Sequence, residues 1–491
     1  MNFNSLQFLI FLPVVVFLYW IVPHKFRWVI LLIASYYFYM SWDPWLVFLI
    51  LGTTIVSYGA ALLIGMTDKK GLKKLYMALT LIICLGVLIF FKYFNFLLSS
   101  VIDFLNLFKM DLDPISLNLI LPVGISFYTF QTLSYVIDVY RGNFKAEKHF
   151  GYYALFVSYF PQLVAGPIER PEDLIPQLRE PHKFNKEDFI AGIQFLLIGF
   201  FRKCVIADFV ATYVDKVFAN LSASSGLAII VASALFLVQI YCDFAGYSEI
   251  ALGSARLMGV RLTRNFDRPL LSINYTEYFR RWHITLNKWF TDYVYIPLGG
   301  SRKGLARKIL NVLIVFSLCG LWHGASWTYF LWGLWAGVFV SIESLLRKPF
   351  KNLCEKTHLD TNSFGYKAVR VILMWVTYVP ACVLFRASSI NDIGTAFSRM
   401  FTSIGDFNSI FSDTGLTGAT LVALIVMIVA LELLYYFDPE NQEKFHLNHN
   451  TKKNFSFNDM AVIFFIIIAI AASWLTLVSN SDTSAFAYFQ F

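Results

Sequence analysis

Long apolar runs alternate with short polar breaks along the whole chain. Ser5–Val22, Trp45–Gly65, Leu75–Phe91, Leu227–Tyr241, Ala325–Ile342, Leu421–Leu434 and Ala461–Val478 hold few or no charges and approach the roughly 20 apolar residues that cross a bilayer as a helix. The pattern predicts an all-α polytopic membrane protein with about ten to twelve transmembrane helices. Composition agrees: 57% of the 491 residues are hydrophobic and 15% are charged, with a mean hydropathy of +0.60, whereas a soluble domain carries about 25% charged residues.

Charge placement orients these runs. Met1–Val22 has no basic residue ahead of its apolar stretch, and Lys25 and Arg27 follow it, the reverse of a secretory signal. The segment reads as a first membrane anchor with its N-terminus outside. TDKKGLKK (67–74) carries four lysines that belong on the cytoplasmic side, and a helical pair turning at Asp43-Pro44 brings Lys25 and Arg27 to that same side. The net charge of +8 then reports cytoplasmic loops, and no nucleic acid partner is expected. Six scattered cysteines without a CxxC pair indicate neither a disulfide framework nor a zinc site, and no metal is expected.

The polar breaks divide one membrane-embedded domain, 1–491, into three stretches. Residues 1–110 are simple spans, 115–345 form a central region, and 366–491 supply C-terminal helices and a tail. In the central region Gly, Pro and charges interrupt the apolar pattern, as in LPVGISFYTFQTLSYVIDVYRG (121–142) and FPQLVAGPIERPEDLIPQL (160–178). Irregular backbone at membrane depth is tolerated only where protein buries it or a wet cavity borders it, so a functional site is expected here. No internal repeat is present, which weakens an analogy with inverted-repeat transporters. A transporter or flippase of an acyl or glycan substrate, with intramembrane charges as its path, stays open as an alternative.

Two segments concentrate the polar chemistry. In TEYFRRWHITLNKWFTDYVYIPLGGSRKG (276–304), helical periodicity places Glu277, Arg281, Lys288 and Asp292 near one face and Arg280, His283 and Asn287 along the next. This is either an amphipathic interfacial helix or a helix folded into the protein with His283 and Asn287 facing a polar cavity. In QIYCDFAGYSEIALGSARLMGVRLTRNFDRPL (239–270), Asp243 and Glu249 precede Arg256, Arg261, Arg264 and Arg268. These charges either pair structurally near the membrane boundary or offer guanidinium forks to a phosphate-bearing donor.

No GxSxG, HExxH, GxxxxGK[ST] or dinucleotide glycine loop occurs, which leaves histidine as the leading catalytic side chain. His24, His149, His182, His358, His446 and His449 lie in polar, loop-like contexts, while His283 and His323 lie among aromatic residues. A desolvated imidazole favours its neutral form and is a competent general base. Gly320 and Gly324 flank His323 and permit close approach of a backbone or a ligand. A core histidine satisfied by its surroundings remains the plain alternative.

RRWHITLNKWF with YIPLGGSR (280–302) and LWHGASWTYFLWG (321–333), preceded by LVAGPIERP (163–171) and QIYCDFAGYSEIALG (239–253), resemble the membrane-bound O-acyltransferase (MBOAT) family over nearly the whole chain. The likeness is strongest to its bacterial, alginate O-acetylase-like branch. The resemblance implies a ring of tilted or re-entrant helices around a tunnel, and a multi-pass protein of the bacterial inner (cytoplasmic) membrane. His323 would be catalytic, and His283, 40 positions upstream, would be a second functional residue, with Asn287 in support. An acyl group would pass from an intracellular thioester, acetyl-CoA or an acyl carrier protein, to a hydroxyl, with no bound cofactor. The terminal FAYFQF (486–491) is similar to tails in bacterial acylation systems, which makes Tyr488 a possible acyl acceptor; an interfacial aromatic anchor is the other reading. An extracytoplasmic SGNH-type acetyltransferase would hand the group to a polysaccharide. Transfer of D-alanine toward teichoic acid is the alternative within the family.

Overall fold

The computed structural model describes residues 1–113 and 115–437, and the side chains within that range except those of 429, 430 and 432–437. The run 461–478 and the FAYFQF tail lie outside the described residues. All regular structure among the described residues is helical. Among the described residues, seven helices are long and apolar enough to cross a membrane: 44–66, 70–106, 186–218, 226–256, 305–323, 327–356 and 364–386. An eighth span is formed if Phe407–Thr414 and Gly418–Ile428, bent by 87°, count together. Hydropathy led to an expectation of ten to twelve, and the described residues hold fewer because several apolar stretches are short or polar. Leu6–Ile21 is a 16-residue helix, and Ile125–Arg141 carries Ser126, Thr129, Gln131, Thr132, Ser134 and Asp138, all buried.

The chain divides into two compact units, residues 1–196 with 250–263 and residues 197–249 with 264–491. The first contains helices α1 (Leu6–Ile21), α2 (His24–Met40), α3 (Val47–Met66), α4 (Lys70–Leu88), α5 (Phe94–Asn106), α6 (Ile125–Arg141), α7 (Phe150–Ser158) and α8 (Pro171–Arg179). The interrupted segment 160–171 is buried throughout, as irregular backbone in a membrane domain must be. Several of its polar groups find partners inside the unit. The amides of Gln131 and Gln162 both donate to the Phe156 carbonyl at 2.7 and 2.9 Å, where α7 is about to end. The Phe160 N–H donates to Ser35 Oγ at 3.1 Å, and Glu169 accepts from the backbone and hydroxyl of Thr263.

The second unit holds the remaining elements, with α9 (Lys186–Phe200) entering it at residue 197 and α11 (Gly226–Arg256) leaving it at 249. A π-helical segment, Phe201–Ala207, continues α9 into α10 (Asp208–Phe218). Two short helices, α12 (Tyr275–Arg281) and α13 (Ile284–Phe290), precede the long hairpin α14 (Leu305–His323) and α15 (Trp327–Lys356), followed by α16 (Phe364–Arg386), α17 (Ile390–Thr402), α18 (Phe407–Thr414) and α19 (Gly418–Phe437).

Small residues let α14 and α15 approach to backbone contact, the usual device of tight helix pairs in membranes. A Cβ at Gly320 would collide with the Tyr329 carbonyl oxygen, and one at Gly333 with that of Phe316. The turn between the two helices is equally tight. Gly324 is extended and donates to the Gly320 carbonyl at 3.4 Å, and the Ser326 side chain caps the next helix at Thr328 N–H.

Candidate active site

The fold delivers His323 as the last residue of α14, with its ring 6% exposed. Aromatic edges and faces surround the imidazole: Trp322 at 5.1 Å, Trp332 at 5.2 Å and Phe385 at 5.5 Å between ring centroids, all near perpendicular. His323 also borders a small chamber of about 20 Å³, space on the scale of a water molecule or two. Phe236, Leu237 and Ile240 of α11, Tyr278 and Trp282, Trp332 of α15, and Tyr378, Cys382 and Phe385 of α16 complete the lining. Among the described residues that line it there is no carboxylate, lysine or arginine, and His323 supplies the one ionisable nitrogen.

His283 is presented differently. The periodicity of 276–304 suggests one continuous helix, but the chain breaks between α12 and α13, and His283 sits at the break with φ 44° and ψ 56°. Side chains other than glycine, asparagine and aspartate adopt that left-handed conformation only at a cost, and such residues persist where the surroundings hold them. Here several groups do so. The Asn287 amide donates to the carbonyls of Phe279, Trp282 and His283 at 2.8, 2.6 and 3.2 Å, tying the end of α12 to the start of α13. Asn265 accepts from the Thr285 N–H at 3.2 Å and hydroxyl at 2.6 Å, while its own carbonyl takes the Ile284 N–H at 2.9 Å. Glu343 of α15 receives the Tyr275 and Thr276 N–H groups and the Thr276 hydroxyl at 2.6 to 3.0 Å, fixing the start of α12.

The His283 ring is 1% exposed and packed against Phe244 at 4.8 Å and Phe266 at 6.4 Å. Trp322 lies 5.8 Å from His283 and 5.1 Å from His323, so the two imidazole centroids are at most about 11 Å apart with that indole as common neighbour. Two residues 40 positions apart in sequence are thus brought to one aromatic cluster. His283 is not among the residues lining the chamber, whereas its neighbour Trp282 is.

The carboxylate and arginine segment resolves differently from its spacing. Asp243 and Glu249 pair with two cations of the π-helical segment, Lys203 at 2.7 Å and Arg202. In the first unit Arg256 and Arg261 both bond to Asp188, at 2.7 and 2.9 Å, and Arg264 donates to the Phe266 carbonyl at 2.6 Å. These contacts favour the structural role for Arg256 and Arg261. Sequence reasoning passed over Arg202, Lys203, Glu343 and Asn265. A basic pair within an apolar helix was the available signal for the first two, and nothing in the local pattern marks Glu343 or Asn265 as braces of α12 and α13. Glycines 320 and 324 admit a close neighbour as expected, and that neighbour is protein: the Tyr329 carbonyl and ring, respectively. Tyr488 lies outside the described residues.

Known proteins were compared with the chain. The model of MBOAT, the membrane-bound O-acyltransferase family, matches residues 147–385, which take in both histidines. A protein of Pseudomonas putida named as a probable alginate O-acetylase is 35% identical over the full length of both chains. A peptidoglycan O-acetyltransferase of Helicobacter pylori is 34% identical, covering 73% of this chain and 71% of that one. A teichoic acid D-alanyltransferase of Bacillus subtilis is 27% identical over 47% of this chain and 61% of its own length.

Proposed function

Because the chain belongs to the membrane-bound O-acyltransferase family, a family of multi-pass membrane enzymes, we propose that it moves acetyl groups from an intracellular thioester to a hydroxyl, on the way to O-acetylation of an exported or cell-wall polysaccharide. The observation that carries this reading is the chamber beside His323. It pairs one imidazole with an apolar and aromatic lining, which suits an uncharged acyl group. The absence of a carboxylate from that lining favours acetyl over D-alanyl, since a buried ammonium without a counter-charge is costly.

In this mechanism a neutral His323 ring nitrogen takes the proton of the acceptor hydroxyl as its oxygen attacks the thioester carbonyl carbon. The tetrahedral intermediate collapses with cleavage of the carbon–sulfur bond, and the imidazolium returns the proton to the departing thiolate, leaving an ester and a free thiol. His323 ends α14, so the positive charge that forms on the ring faces the negative end of the helix dipole. His283 acts as a second residue of the same cluster. Asn287 acts by holding the α12–α13 break, a positioning role that its three backbone bonds support. Tyr488 serves as the relay that accepts the group before an extracytoplasmic SGNH-type partner passes it on. The donor is acetyl-CoA or an acylated carrier protein, and the enzyme works in the bacterial inner (cytoplasmic) membrane.

Purified protein in lipid vesicles, given acetyl-labelled thioester and a hydroxyl acceptor, tests this reading. Covalently transferred label that disappears in His323→Ala, with the variant recovered as folded protein, supports it. Transfer that persists in the variant refutes the catalytic assignment, and passage of intact thioester across the vesicle without acylation would favour a transporter.

A further inference from the structure

Arg202 and Lys203 sit near the middle of the candidate span 186–218 and are 4% and 1% exposed. Their partners Asp243 and Glu249 on α11 are 1% and 7% exposed. Lys203 Nζ reaches Asp243 Oδ1 and Asp208 Oδ1, both at 2.7 Å. Lys203 and Asp208 are five residues apart, the repeat of a π-helical turn, so the π segment places its own carboxylate beside the lysine. The Arg202 guanidinium bonds to Glu249 and lies 5.5 Å from the Tyr241 ring centre. Gly246 lets the two helices of this contact close fully: a Cβ there would strike the Gly199 carbonyl oxygen and crowd the Lys203 N–H.

Four charges and their fifth partner are expensive to keep at such depth. Replacing a buried ion pair with well-packed apolar groups is often neutral or stabilising, so the pair is weak evidence of a stability role. What the pairs do specify is the rotation of α11. Successive helical residues are turned by about 100°, so anchoring Asp243 on one side sets where Phe244 and Ile240 point. Phe244 packs against His283 at 4.8 Å and Phe266 at 5.0 Å, Tyr241 meets Trp282 at 6.2 Å, and Phe236, Leu237 and Ile240 wall the His323 chamber. Asp243 and Glu249 lie about 120° apart around α11, so holding both fixes the direction of every other side chain on the helix.

We propose that the Lys203–Asp243 and Arg202–Glu249 pairs are positioning residues for acyl transfer: they lock the rotation of α11 so that its aromatic side holds Trp282 and His283 and its apolar side shapes the chamber at His323. They touch neither acyl group nor acceptor. The proposal rests on the acyltransferase reading above, and one assay separates the two.

Initial rates of labelled acetyl transfer are measured in vesicles for wild type, His323→Ala, Asp243→Asn, Lys203→Arg, Asp243→Leu with Lys203→Met and Asp208→Asn, and the swap Arg202→Glu with Glu249→Arg. Thermal unfolding and size-exclusion profiles are recorded for each. Asp243→Asn is expected to lower kcat about 10- to 100-fold, the scale of a small misplacement of reacting groups, with KM for the thioester within about threefold of wild type. The apolar double variant, combined with Asp208→Asn so that no carboxylate is left without its cation, is expected to fold as well as wild type yet stay equally impaired, while Lys203→Arg and the charge swap recover most of the rate. If Asp243→Asn or the apolar double variant folds and keeps kcat within twofold, the pairs are not positioning devices. If every impaired variant loses rate only in proportion to folded protein, or KM rises while kcat holds, the proposal is likewise overturned. Retained transfer in His323→Ala would instead sink the catalytic reading itself.

Discussion

The two histidines of the site are held in opposite ways. His323 stands at the end of a regular 19-residue helix whose partner helix is drawn in by glycines, and it opens on a chamber. His283 stands in a left-handed kink between two seven-residue helices, enclosed by Phe244, Phe266 and Trp322. The first arrangement leaves the imidazole on the wall of that chamber. The second spends several hydrogen bonds to fix a ring that does not border that space. The contrast teaches that two histidines in similar aromatic sequence contexts need not share a role: in the proposed mechanism one meets the reacting atoms, and the other shapes the cluster around them.

Breaking that asymmetry is expected to give graded effects. Removing the imidazole at the chamber, His323→Ala, is expected to lower the transfer rate about 10²- to 10⁴-fold, the usual share of general-base catalysis, with unchanged recovery of folded protein on size exclusion. His283→Gly keeps the backbone free to adopt its positive φ while deleting the ring. It is expected to lower kcat about 100-fold through a misplaced Trp282–Trp322 cluster, and full activity in steady-state assays would reduce His283 to a turn residue. Asn287→Ala removes three bonds across the α12–α13 break, each worth about 1 kcal/mol. A drop of roughly tenfold in kcat, with a lowered unfolding temperature in detergent, is the expected outcome. Ile240→Ala trims the chamber wall. The acetyl rate should change little, while the propionyl-to-acetyl ratio of kcat/KM rises about tenfold, in line with one or two methylenes in an apolar pocket.

Much of this was legible before any coordinates. Charge depletion and run length identify a membrane protein, and the aromatic settings of His283 and His323 single them out from six histidines in polar contexts. The break at His283 was not legible, because apolar and polar positions keep a helical period straight through it; the chain departs from the helix where Asn287 and Asn265 offer alternative partners to the backbone. The partners supplied by the π-helical segment were not legible for a related reason. Asp243 and Glu249 are nearest in sequence to the arginines that follow, but the π-helical segment brings Lys203 and Arg202 to them from about 40 residues upstream. The glycines around His323 could be read as room for a neighbour, and only the packing of α14 on α15 shows that the neighbour is Tyr329. The division into two units that alternate along the chain has no counterpart in composition.

The central claim is that the reacting carbonyl sits at His323. A cryo-electron microscopy structure of the protein with a non-hydrolysable acetyl thioester analogue tests it most directly. The account predicts the acetyl group in the chamber walled by Ile240, Trp282, Trp332 and Phe385, with its carbonyl carbon positioned so that an attacking oxygen about 3 to 3.5 Å away lies within hydrogen-bond reach of the His323 ring. An analogue bound with its carbonyl outside that chamber, beyond reach of His323 and with the chamber walls closed on one another, would contradict it.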